Sequence, residues 1–165
     1  MTEPNRVAPL LATWRRMRRW PVGRWLFSRA VCFKAPYFST IAPRFEVLEP
    51  GRCEVRMRDR RGVHNHIGSV HAIALCNLAE LAGGVMLDAS LPKGMRWIPK
   101  GMAVDYLARA HGTMHAVATP GKPIIAAREG YELPVLVEVR DPKGVEVFRA
   151  DITMWVSPRP ADIPR

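Results

Sequence analysis

Polar and apolar residues alternate along much of this chain. Residues 52–58 set Cys53, Val55 and Met57 on one face and Arg52, Glu54, Arg56 and Arg58 on the other, the period of a half-buried strand. Residues 44–48 precede it across Glu49-Pro50-Gly51 and predict a hairpin partner. The same period returns downstream, where Tyr131, Leu133, Val135, Val137 and Val139 share a face. A turn at residues 141–144 leads into Phe148, Ala150, Ile152, Met154 and Val156. Residues 97–107 and 112–119 predict two more strands. Pro134 marks its strand as an edge or the site of a bulge, because proline donates nothing to a ladder.

Residues 70–88 break this rhythm. They are apolar nearly all round, interrupted only by His71, Asn77 and Glu80 before Asp88. Such a pattern predicts a buried helix, and a glutamate near its middle argues against a membrane span. Two strands, one central helix and four strands give an α+β fold, an antiparallel sheet wrapped around a helix. Ahead of it, residues 9–20 predict a helix with Leu10, Trp14 and Met17 along one stripe. Pro21-Val22-Gly23 breaks it before a second short helix reaching about residue 30.

Composition sharpens this picture. The chain has 165 residues, 48% of them hydrophobic and 24% charged, which suits one globular domain and excludes a disordered or collagen-like chain. Cys32, Cys53 and Cys76 are odd in number, far apart and in no paired spacing, which fits a reducing, cytoplasmic setting. The net charge of +10 first suggests a polyanionic partner. Residues 1–34, however, hold eight basic side chains and one acidic one, leaving 35–165 close to balanced. The chain therefore divides into a basic helical arm, 1–34, and a body, 35–165, and the body makes no case for nucleic acid. The arm has two readings: a helix for a membrane surface or phosphates, or a solvated helix docking its Trp and Leu on the body. The arm is Arg-rich and acid-poor, as a transit peptide is, but short of serine, and Arg24 and Arg29 interrupt the only stretch apolar enough for a secretory signal. Nucleic-acid binding through the arm is a separate class, which predicts salt-dependent affinity lost with residues 1–34.

Glu80 leads the candidate chemistry. Among Leu78, Ala79, Leu81 and Ala82, its carboxylate is expected to lose hydration and so to need a partner or to hold its proton more tightly. It reads equally as a general base or nucleophile in a dry pocket, or as a helix-rim glutamate paired with an arginine. The loop before the helix concentrates His64, Asn65, His66 and His71. It matches no zinc spacing, and its His-Asn-His triplet lacks the setting of a nuclease finger. If the helix begins near residue 70, the backbone N–H groups of His71 and Ala72 lie in its first turn, where a developing oxyanion is favoured.

The pattern Asn65-x5-His71-Ala72-Ile73-x5-Ala79-Glu80, on a helix after two strands and before four, resembles the hotdog-fold acyl-CoA thioesterases of the phenylacetate-pathway (PaaI-like) type, and most closely a poorly characterised branch of that superfamily. The resemblance covers residues 36–157 or so. It implies a hotdog fold and hydrolysis of a fatty or aryl acyl-CoA thioester without a metal or cofactor. Glu80 matches the catalytic carboxylate, the Ala72 N–H the oxyanion donor, Asn65 the amide that orients water or substrate, and His71 the helix-start histidine. His66, Gly68, Ile73 and Asn77 are the expected substrate contacts. In such proteins the carboxylate and the Asn-bearing loop come from opposite subunits, which implies a homodimer, extendable to a tetramer as a dimer of dimers. Two departures stand out: Ala72 and Ile73 replace the motif's glycines, and Gly84 replaces a Thr or Ser found in some relatives. Arg96, Lys100, Arg109 and Lys122 are candidates for the CoA phosphates. The alternative function is a hotdog protein that binds acyl-CoA or acyl carrier protein without catalysis. The proline-rich loop of a hotdog dehydratase is absent.

Overall fold

A computed structural model describes residues 8–160. Helices α1 (Pro9–Met17) and α2 (Gly23–Lys34) lead into a 3-10 turn, Pro36–Ile41, and the hairpin β1 (Pro43–Glu49) and β2 (Arg52–Met57). Helix α3 (Ala72–Ser90) follows, then β3 (Met95–Tyr106), β4 (Met114–Pro120), β5 (Tyr131–Arg140) and β6 (Glu146–Pro158). The six strands form one antiparallel sheet in the order β1-β2-β4-β5-β6-β3. The inward faces are those the alternation predicts: Cys53, Val55, Met57, Leu133, Val137, Ala150 and Ile152 are all buried against α3. The turn at 141–144 forms as expected, with Asp141 Oδ1 accepting from the N–H groups of Lys143 at 2.8 Å and Val145 at 2.9 Å.

Pro134 corrects one expectation. Its strand, β5, lies inside the sheet between β4 and β6, and the register there is unbroken. Strand β4 ends at Pro120 opposite Val135, and just beyond it the Gly121 N–H donates to the Pro134 carbonyl at 2.8 Å, so the missing proline N–H falls at the end of the β4–β5 ladder.

The arm differs in its bounds: α1 is shorter than the pattern suggests and α2 runs on to Lys34. Both helices dock on the body. Trp14 lies edge-on to Phe27, with ring centroids 5.0 Å apart, and Phe27 edge-on to Phe45 of β1 at 5.3 Å. Leu10 and Met17 are half-buried as the stripe predicts, and Leu11 is buried with Trp14. Gly23 allows the two helices to meet, because a Cβ there would lie 1.7 Å from the Met17 carbonyl oxygen.

Helix α3 has the length and hydropathy of a membrane span, yet two-thirds of it is buried inside this fold, where it forms the core. It carries the candidate chemistry at its N-terminus and on its one uncovered stripe.

Candidate functional site

The first turn of α3 is built by His71. Its backbone is extended, with φ −67° and ψ 138°, and its Nδ1 accepts from the Ile73 N–H at 3.0 Å, so the imidazole caps the helix. The helix therefore starts at Ala72, two residues after the expected position. The His71 N–H donates to the Val63 carbonyl at 2.7 Å, and the Ala74 and Leu75 N–H groups turn to the His71 carbonyl. The expected pair of oxyanion donors thus reduces to one. Among the described residues no acceptor meets the Ala72 N–H, which stands at the positive end of a 19-residue helix.

Asn65 organises the loop that delivers this turn. Its Oδ1 accepts from the N–H groups of Ile67 and Ser69, each at 3.1 Å, and its Nδ2 donates to Ser69 Oγ at 2.8 Å. One Nδ2 proton remains. Gly68 closes the same turn by donating to the Asn65 carbonyl, while His66 is exposed at its tip. His64 pairs through Nε2 with Asp59 Oδ1, and Asp59 Oδ2 accepts from the Gly112 N–H at 2.6 Å. The histidines therefore take separate partners, and among the described residues no three His, Cys, Asp or Glu side chains converge on a common point.

Glu80 overturns the dry-pocket expectation for the single chain. It is exposed, and among the described residues no arginine pairs with it. The reason lies in how the sheet wraps. It covers α3 along Leu75, Leu78, Ala82 and Met86 and leaves a stripe of Ile73, Cys76 and Glu80. Asn77, adjacent to that stripe, is 6% exposed and donates to Thr40 Oγ1 of the 3-10 turn at 3.1 Å. Tyr37, Thr40, His64, His71, Ile73 and Asn77 line a groove of about 180 Å³ beside the helix N-terminus. Ile73, 55% exposed, stands at this groove, where the motif has a glycine.

Two contacts around the stripe have no local signature in the sequence. Tyr106 of β3 meets Cys76 Sγ through its hydroxyl at 3.3 Å. That bond first, and burial second, push the Tyr106 hydroxyl up to about 12, so it stays protonated at neutral pH. The Trp97 Nε1–H donates to Asp88 Oδ1 at 2.7 Å. Of the four basic residues considered for CoA, Lys100 is bonded to Glu132 at 2.6 Å and lies over the Trp155 ring, while Arg96, Arg109 and Lys122 are exposed.

Residues 23–156 match the model of a family described as a domain of unknown function, DUF4442. The chain belongs to this family. Its sequence is 46% identical to a structural-genomics protein whose designation names no activity; the match covers 91% of this chain and 99% of that one, with a TM-score of 0.78. A Pseudomonas aeruginosa protein of unknown function, designated a "probable thioesterase", is 27% identical, with 76% and 89% of the two chains covered and a TM-score of 0.68. A thioesterase from Haemophilus influenzae shares the fold at 16% identity, with 78% and 87% covered and a TM-score of 0.67. No curated protein matches the chain. The resemblance to the hotdog thioesterases thus holds for the fold of this DUF4442 protein.

Two features of the DUF4442 chain make testable demands. Gly84 lies beneath Trp97, and a Cβ there would come within 2.7 Å of the ring. Gly84→Ser, which restores the hydroxyl found in some relatives, is expected to destabilise the protein by about 1–3 kcal/mol through overpacking. Denaturant unfolding of G84S, W97A and G84S/W97A checks this: Gly84→Ser should cost less in the W97A background than in the parent.

Burial pushes the Asp59 carboxyl up, but its bonds from His64 and the Gly112 N–H outweigh that and hold it below the usual carboxylate range. Because the folded value is the lower one, this contribution is complete at neutral pH and fades as pH falls through the carboxylate range. Asp59→Asn should cost about 1–3 kcal/mol at neutral pH and flatten the acid limb of stability. Urea midpoints across pH provide the measurement, and parallel acid limbs for the two proteins would refute the assignment.

Proposed function

We propose that this protein hydrolyses a fatty or aryl acyl-CoA thioester, with the Ala72 N–H and the Glu80 carboxylate as its working groups. The observation that carries the reading is the unused Ala72 N–H at the mouth of α3, in a turn where the neighbouring donors are already satisfied. A thioester carbonyl accepting from that N–H gains charge on oxygen as it is attacked, and the helix terminus stabilises that charge. Glu80 takes a proton from the attacking water. The C–S bond then breaks, and the same proton passes to the departing CoA sulfur, giving the acid and free thiol. His71 holds the turn, Asn65 holds the loop, and the groove beside Ile73 and Asn77 receives the acyl group, with His66 and Gly68 at its rim.

A second copy of the chain completes the site in this reading. Ala72 and Glu80 of one chain are separated along α3 by about 12 Å and turned about 80° from one another around it, so one thioester does not meet both on one copy. Strand β3 lies at the sheet edge, paired among the described residues with β6 alone, and exposes Ile98, Met102 and Tyr106. Pairing of two such edges would remove an exposed twelve-residue strand from water and cover the Ile73–Glu80 stripe. The dimer, a tetramer built from it and a cytoplasmic setting in keeping with three free cysteines are parts of the same proposal.

Thiol release from acyl-CoAs of graded chain length, including an aryl-acyl member, tests it. Turnover with none of them above the Glu80→Gln rate would overturn the hydrolase reading. Stoichiometric acyl-CoA binding under those conditions would favour the non-catalytic binder.

A further inference from the structure

The arm carries a surface that no other part of the described residues covers. Residues 8–34 contain seven basic side chains and no acidic one. Val22, Trp25, Arg29 and Phe33 recur at spacings of three and four, so they share one stripe of α2, turned away from the buried Phe27. Phe33 is 92% exposed, Trp25 57% and Val22 58%, and Trp20 in the turn between the helices is 64% exposed. Trp25 and Arg29 also line a groove of about 430 Å³ with Arg44, Arg56 and Arg58. Arg56 is paired with Glu46, whereas Arg29, Arg44 and Arg58 have no acidic partner among the described residues.

We infer that this face docks the protein on an anionic lipid bilayer. Trp20, Trp25 and Phe33 enter the boundary between headgroups and acyl chains, and the flanking arginines meet the lipid phosphates. Indole rings favour that boundary, and a cluster of cations beside exposed rings supplies the two signals that stable attachment requires. Two observations set the bilayer above other occupants. A second copy would bring the same basic arm, placing like charges face to face. A nucleic acid would use the rings for stacking but would leave Val22 and Ala30 of the same surface in water.

The experiment is vesicle sedimentation of the full-length protein with bilayers of equal parts phosphatidylglycerol and phosphatidylcholine, and with phosphatidylcholine alone. Partition onto the anionic vesicles should be about tenfold or more above that onto the neutral ones and should fall with added salt. Trp25→Ala/Phe33→Ala should lower it by about tenfold or more, because it removes apolar contact without changing charge. Both side chains are exposed, so the thermal melt of the variant should match the parent. Turnover of a short-chain, water-soluble acyl-CoA by the variant keeps this question separate from the hydrolase reading. The inference is overturned by no partition onto anionic vesicles, by undiminished partition of the double variant, or by exclusion from vesicles with tight binding to single-stranded RNA. A solution oligomer dispersed by the double variant would assign the face to a second copy instead.

Discussion

Glu80→Gln is expected to lower acyl-CoA turnover by about a hundred- to ten-thousand-fold while leaving the melt of the protein unchanged. The size follows from what is removed. Gln keeps the length and hydrogen-bonding shape of the side chain but cannot accept a proton from water, so the attack must proceed without a base. The unchanged melt follows from shape: Glu80 has no partner among the described residues of its own chain, and Gln keeps the size of the side chain where the proposed second copy covers the stripe. Steady-state kinetics and a thermal melt on the same preparations separate the two effects. A KM that stays within a few-fold while kcat collapses would locate the loss in the chemical step. A variant as active as the parent would remove Glu80 from the mechanism.

Ala72→Pro is the complementary experiment, because it removes one hydrogen atom from the proposed oxyanion donor. Proline ordinarily destroys a helix, but the first helical position has no intrahelical bond to lose and a fixed φ suited to the turn. The preceding residue must be extended, and His71 already is, with φ −67° and ψ 138°. The fold should therefore survive, with turnover reduced by about a hundred- to a thousand-fold, the cost of one oxyanion donor. Ala72→Gly, which keeps the N–H, is the control and should retain activity. If A72P is folded and fully active, the carbonyl oxygen is stabilised elsewhere.

How much of this was legible in the sequence depends on the kind of pattern involved. Strand alternation is local, and residues 52–57, 131–139 and 148–156 place their inward faces as read. The central helix was equally visible, but its start was not. The imidazole of His71 closing on the Ile73 N–H is a matter of side-chain geometry, and His is a rare cap. The exposure of Glu80 was hidden for a different reason. Ile73 and Cys76, which flank it on the uncovered stripe, are as apolar as the residues that face the sheet. Hydropathy measures preference for burial and does not say whether the covering surface belongs to the same chain. The Asp59 bridge from His64 to the Gly112 N–H joins segments 53 residues apart and has no local pattern to betray it. The docking of Trp14 on Phe27 follows the predicted stripe, while its reach to Phe45 in β1 needed the fold.

The close contact between Gly84 and Trp97 has an evolutionary corollary. If no Cβ fits under the indole, a lineage cannot acquire a hydroxyl-bearing residue at position 84 and keep the ring. The two positions should therefore exclude one another in an alignment of relatives: glycine with tryptophan, or Ser and Thr with a small residue. The indole also fixes Asp88 through its N–H, so the acid's preference should drift wherever the ring is lost. Two columns, thirteen residues apart, would then divide the superfamily into branches with and without a hydroxyl one turn beyond the carboxylate. This protein stands among those without.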